Sequence, residues 1–254
     1  MNERSYIVTR VNKRSFILRL GVDFMKRNIW LLSCLIVSTA FITACYENQD
    51  GIDDDTIPVL QVMTWPEGKV YFRIDDSFNP DDENDQYTLR MISLAMREWS
   101  SAANIRFIEV SEGDEYVYVI SKSDATSSTV GYQRYPRLFI KALASQRAAT
   151  HELGHCLGLT HEHQRPDRDD YITVHWGNIR IDAAGQYQLL ENSLYDETDY
   201  PYDYRSVMHY STSTGTVSAW KKTYTINDVE FNDKWPAYLS EIDREKVRDL
   251  YGEI

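Results

Sequence analysis

The sequence predicts an α+β domain with a regular first half and a loop-rich second half, meeting near residue 160. Three observations carry this. Short runs rich in β-branched and aromatic residues alternate with helical patterns up to residue 158. Beyond that point Tyr, Asp, Asn and Ser dominate as far as about residue 235. A capped amphipathic stretch then closes the chain. Taken in order, residues 70–74 (Val-Tyr-Phe-Arg-Ile) read as a strand and residues 81–85 as a charged loop. Residues 87–100 form an amphipathic helix with Leu89, Ile92, Ala95, Met96 and Trp99 on one face. Residues 105–110 and 116–120 read as strands, 121–131 as a loop of small residues and 138–140 as a further short strand. Residues 144–157 are helical and end at Gly158. The closing helix spans 240–250, with Ser240 as N-cap and Glu241 and Asp243 in its first turn.

The 254 residues are 43% hydrophobic and 26% charged, which excludes a disordered or fibrous chain. A formal charge of −12 argues against a nucleic-acid partner, which requires a basic face. Three cysteines cannot build a dense disulfide framework. The first 44 residues stand apart. Lys26 and Arg27 precede an uncharged stretch from Ile29 to Ala44, the pattern of a secretory signal. It is shorter than the roughly 20 residues of a membrane span, and an uncleaved signal anchor is the alternative reading. Its end, Ile42-Thr43-Ala44-Cys45, resembles the lipobox of bacterial lipoproteins, which implies a lipid on Cys45, membrane anchorage and an exported protein. Residues 1–24 fit no part of a signal, so Met25 is a candidate true start. Segment 1–44 holds seven of the 27 basic and two of the 39 acidic side chains, which leaves the remainder at −17. Residues 45–64 are acidic, with Asp53, Asp54 and Asp55, and read as a tether or a short pro-segment. The folded domain is expected over 65–254.

The informative stretch is His151-Glu152-Leu153-Gly154-His155-Cys156-Leu157-Gly158-Leu159-Thr160-His161. His151 and His155, four apart on a helix, share a face and can reach one metal. Glu152 lies beside the first ligand, where it can hold a metal-bound water. Gly158 can take positive φ, which stops the helix and lets His161 return as a third nitrogen ligand. Three histidines with one open position describe a catalytic Zn2+ site; a structural site would close the fourth position. His-Glu-x-x-His arises by chance in about one chain in a hundred of this size, and the added Gly and third His lower that to about one in 10^5. Gly154 costs a helix about 1 kcal/mol relative to Ala, which points to close packing near the metal.

From His151 to Ile172 the chain resembles the astacin metallopeptidases of the metzincin clan, whose motif continues as His161, Glu162, Arg165, Asp167, Arg168, Asp169 and Tyr171. Ser206-Val207-Met208-His209-Tyr210 matches the family's Met-turn. Weaker likeness runs from Trp65-Pro66-Glu67-Gly68 to Leu250-Tyr251. The resemblance implies a two-subdomain metzincin-like catalytic domain, with a twisted sheet and two long helices in its N-terminal part and a final helix after a loop-rich C-terminal part. It implies a zinc endopeptidase acting on internal bonds of proteins or peptides and working as a monomer. His151, His155 and His161 would hold zinc, and Glu152 would serve as general base and then acid. Met208 would form an apolar floor. Tyr210 would reach the zinc at rest and swing to the developing oxyanion. Glu162 would meet the buried N-terminus of the mature enzyme. Arg165, Asp167, Arg168 and Asp169 are expected to form an ion-pair network; His163, His175 and His209 are expected to be structural.

The family's four cysteines are missing, with Asn104 and Thr126-Ser127-Ser128 near the aligned positions, so the domain is expected to stand without disulfides. Cys156 is expected to be a small buried apolar group. The family's Phe-x-Gly-Asp zinc block is absent between Cys45 and Trp65; Asp50 and Asp53 to Asp55 are the candidates there, against a solvated tether. A cleavage between residues 57 and 64 is expected to free the enzyme from the membrane. Two other functions fit parts of the pattern: a non-catalytic zinc-containing surface lipoprotein acting as a binding module, and an enzyme acting on a non-protein amide.

Overall fold

The computed structural model describes residues 63–190, 199–227 and 238–254. The signal segment, Cys45 and the stretch up to residue 62 lie outside the described residues. Five strands form one sheet: β1 (Lys69–Ile74), β2 (Arg106–Glu109), β3 (Tyr118–Lys122), β4 (Ser127–Ser128) and β5 (Arg137–Ile140), in the order β2-β1-β3-β5-β4. All neighbours run parallel except β4, which lies antiparallel to β5 at the edge. The link from β1 to β2 is the long helix α1 (Glu83–Ser100), the crossover that parallel strands require.

Helix α1 starts one turn earlier than its hydrophobic face predicts. Asp82 is its N-cap, accepting from the backbone N–H groups of Asn84 and Asp85. The supposed charged loop therefore contains the cap and first turn. Asp85 is buried there against Lys122 Nζ at 2.7 Å. The expected face is apolar and buried: Ile92, Ala95, Met96 and Trp99. Helix α2 (Gln146–Cys156), capped by Ser145, packs on α1, and Trp99 Nε1 donates to the Thr150 carbonyl at 2.9 Å. The stretch read as a small-residue loop carries the end of β3 and the whole of β4. Helix α3 (Glu241–Tyr251) has the expected Ser240 cap, completed by Asp243 into a capping box.

One core joins the sheet to all three helices through Val70, Ile120, Leu138, Trp99, Leu153 and Val247. A second, smaller core is built from Ile172, Ile179, Tyr187, Tyr202 and Tyr224. It rests on an antiparallel pair, β6 (Ile172–Val174) with β7 (Tyr224–Ile226), inside the half where the sequence pattern fades. Cys156 is fully buried, and burial pushes its thiol up, as expected of an inert apolar group. Among the described residues no helix is long and apolar enough to cross a membrane.

Candidate metal centre

Helix α2 places His151 and His155 one turn apart on the face turned to a cleft of about 590 Å³. Gly158 takes φ 98° and the Leu159 N–H bonds the Gly154 carbonyl, so the helix ends and the chain reverses. His161 then arrives opposite the pair. Its Nε2 lies 3.1 Å from His155 Nε2 and 3.2 Å from His151 Nε2.

The other ring nitrogens decide what these contacts are. His151 Nδ1 faces the Val207 carbonyl at 2.8 Å, His155 Nδ1 the Leu159 carbonyl at 2.8 Å, and His161 Nδ1 the Gln164 side-chain oxygen at 2.6 Å. A carbonyl oxygen only accepts, so each Nδ1 carries the hydrogen and each Nε2 is a bare lone pair. Burial keeps all three rings neutral, lowering His151 to about 3, His155 to about 4 and His161 well below its ordinary value. Three converging lone pairs cannot satisfy one another; a cation can. Tetrahedral Zn2+ with nitrogen ligands at 2.0–2.1 Å spaces them by about 3.3 Å, close to what is observed. The donor set therefore fits zinc and leaves further positions open.

Glu152 points into the same cleft, and burial pushes its carboxyl up to about 8. Such a carboxylate is a stronger base than one in water. Tyr210 lines the cleft too, its ring centroid 4.4 Å from that of His161 and 4.1 Å from that of His163, on which it stacks. Burial, and then the nearby Glu152, raise its hydroxyl to about 12. Met208 is 2% exposed, and its sulfur fills the space beside Gly154 where a Cβ would stand. The expected reason for a glycine inside α2 is thus the packing of Met208.

The cleft's other wall is β4, whose Ser127 and Ser128 line it from the edge of the sheet. His163 and His209 stand outside the ligand set, as expected: His163 Nε2 meets the Gln186 carbonyl, and His209 lies between the Tyr202 hydroxyl and the Tyr210 carbonyl. The expected network exists. Arg165, 1% exposed, bridges Glu162 and Asp167, and Arg168 pairs with Asp169.

Glu162 pairs with the ammonium of Lys246 on α3 at 2.6 Å; the N-terminus that the resemblance would bring to it lies outside the described residues. Three other supports leave no mark in the sequence pattern. Gln164 orients His161. Arg147, on α2 beside Glu152, bonds the Val207 and His209 carbonyls at 3.4 and 3.3 Å. Asp243 takes the Ser206 hydroxyl and the Val207 N–H, tying the helix start to the turn that carries Met208.

Comparison with known proteins agrees with this geometry. The family model described as Astacin, a peptidase family, matches residues 59–252. A zinc metalloproteinase of Caenorhabditis elegans, nas-14, is 33% identical over 192 residues, covering 74% of this chain and 37% of the relative. The zinc metalloproteinase nas-8 of Steinernema carpocapsae is 34% identical over 154 residues, covering 59% of this chain and 35% of the relative. The chain thus spans little more than a third of the length of these relatives. Among solved structures, high choriolytic enzyme 1, a hatching-enzyme zinc protease of the medaka Oryzias latipes, superposes with a TM-score of 0.66 at 21% identity. The match covers 79% of this chain and 99% of that one, which shows a shared fold. Myroilysin follows at a TM-score of 0.50 and 21% identity, over 77% of this chain and 98% of its own.

Proposed function

The chain belongs to the astacin family of peptidases, and from that membership we propose that it is an exported zinc endopeptidase hydrolysing internal bonds of proteins or peptides. The observation that carries the reading is the convergence of three bare imidazole nitrogens beside a buried carboxylate in one open cleft. Zinc bound by His151, His155 and His161 supplies a Lewis acid that acidifies water and polarises a carbonyl.

The chain's own groups do the rest. Glu152, buried beside the first ligand, would take the proton of the attacking water and deliver it to the departing amine nitrogen. Tyr210 keeps its proton at neutral pH and donates it as a hydrogen bond to the oxygen that gains charge on the scissile carbonyl. Strand β4 has β5 on one side only, so its other edge offers backbone groups to an extended peptide. The signal-like segment and the lipobox-like end at Cys45 support export and a lipid tether; a monomer suffices, because every group named comes from one chain.

The test is Glu152→Gln assayed on casein or gelatin with zinc content measured alongside. The variant should keep its zinc and lose about 10^2–10^4-fold in kcat/KM. A zinc-loaded variant that cleaves as fast as the parent would refute the assignment.

A further inference from the structure

Two segments of the loop-rich half, 176–182 and 215–222, lie side by side. Ile179 and Thr216 form an antiparallel bridge. The Arg180 N–H bonds the Gly215 carbonyl and the Val217 N–H bonds the Asn178 carbonyl, each at 2.8 Å. The turn that follows is pinned on both sides: the Thr216 hydroxyl donates to the Lys221 carbonyl and Asn178 Nδ2 to the Lys222 carbonyl, each at 2.8 Å. This fixed frame holds apolar side chains in water. Trp220 is 95% and Ile181 96% exposed, and Val217 and Trp176 are about half exposed. Tryptophan is ordinarily among the most buried residues on average. One exposed apolar side chain needs no explanation, but four on one pinned unit do. Val217 lies beside Asn178, two residues on from Trp176, so these two and the Trp220 turn share one end of the pair; Ile181 marks the other.

The charges on this unit say what it fits. Lys221 and Lys222 follow Trp220 directly and are exposed. Arg180 is neutralised by Asp182 at 2.9 Å. Residues 204–226 hold no Asp or Glu, although residues 45–254 together carry −17. Protein–protein interfaces take up tryptophan but are depleted of lysine. A bilayer interface takes both: the indole ring settles at headgroup level, and lysines lie against anionic phosphates. We propose that the paired segments 176–182 and 215–222 dock on a bilayer surface rich in anionic lipid, with Trp220 and Ile181 entering the headgroup layer and Lys221 and Lys222 meeting its phosphates. The surface acts apart from any lipid on Cys45, and it goes beyond the peptidase reading without depending on it. It also orients the site. The Ala183 N–H bonds the Arg180 carbonyl, and Gly185 and Gln186, a few residues on, line the metal cleft. Docking therefore holds the cleft close to the bilayer, within reach of polypeptides attached there.

The experiment sediments the chain from residue 45 with vesicles, using Cys45→Ser as the parent so that no lipid is attached. Vesicles of phosphatidylcholine with about one third phosphatidylglycerol should bind it at least about tenfold more tightly than phosphatidylcholine alone, and added salt should weaken the binding. Trp220→Ser should weaken it by about tenfold or more. Lys221→Gln and Lys222→Gln should each weaken it about fivefold, on the anionic vesicles only. These side chains are exposed, so each variant should keep its zinc and melt within about 2 °C of the parent. A parent that binds neither vesicle would overturn the proposal, as would binding that the Trp220 and lysine variants leave unchanged. Self-association that Trp220→Ser abolishes, without vesicle binding, would also overturn it by making a second copy the occupant. Sedimentation needs no substrate: a chain that binds vesicles but cleaves nothing upholds this surface while the peptidase reading fails.

Discussion

Replacing Gly154 by Ala sets two effects of opposite sign against each other. In a solvent-exposed helix the change stabilises by about 1 kcal/mol. Inside α2 the new methyl would overlap the Met208 sulfur and stand 3.3 Å from Met208 Cε and 3.2 Å from Trp99 Cζ2. Neither neighbour can escape to water, since Met208 is 2% and Trp99 0% exposed. Overpacking of this kind costs about 1–3 kcal/mol, so the clash outweighs the helix gain by about 1 kcal/mol. In a domain of this size that is a fall of about 2–4 °C in melting temperature. The site should suffer more than the fold. The Met208 carbonyl accepts from the Glu162 N–H and the neighbouring Val207 carbonyl accepts from His151 Nδ1, so displacing Met208 moves two ligand supports together. Calorimetric melting and zinc titration measure the two losses. Met208→Ala alone should cost about 2–5 kcal/mol, and adding Gly154→Ala to it should cost less than the sum by about 1 kcal/mol, because the methyl enters the vacated space. A Gly154→Ala protein more stable than the parent, or strict additivity in the double variant, would refute the packing account.

Gly68→Ala should be destabilising by about 2–5 kcal/mol in urea unfolding, since Gly68 sits at φ +66° and a Cβ there would overlap the backbone oxygen of Asn104; a loss under 1 kcal/mol would contradict this. Stripping the metal with a chelator should lower the melting temperature and zinc should restore it, each tenfold excess over Kd returning about 1.4 kcal/mol; an unchanged melt would mean that no ion bridges the three histidines. Asp243 gives a pH prediction. Burial raises its carboxyl from 3.8 to about 6, so the folded state binds this proton more tightly than the unfolded chain does. Its contribution is therefore greatest below about pH 4 and is lost as pH rises through 6, by at most about 3 kcal/mol. Asp243→Asn cannot ionise and keeps an oxygen for the Val207 and Ser240 N–H groups, both of which bond Oδ2. The stability gap between parent and variant should then change between pH 4 and 7; parallel profiles would sink this account.

What could be read from the sequence follows the range of the interactions. The zinc ligands were legible because a helix fixes His151 and His155 four apart and Gly158 fixes the return of His161, all within eleven residues. Helix ends were legible where the cap is followed by an apolar face, as at Ser240. Asp82 was hidden because a cap amid other acidic residues has the composition of a solvated loop. Strands β6 and β7 are three residues each and pair across about fifty residues of chain, so neither shows a local period. Lys246 could not be found at all. Its neighbours Glu245 and Arg248 make it look like one more charge on a wet helix face, and only the packing of α3 turns it inward to Glu162.

The capping box at the start of α3 does two jobs with one side chain. Asp243 closes its own helix and also holds the Ser206–Val207 backbone under the site. The ligands are synthesised well before that clamp. A nascent chain that has already exposed His151, His155 and His161 therefore still lacks the residue that fixes the turn beneath them, and the three-histidine site acquires its final geometry only after the domain's own late segments have been made.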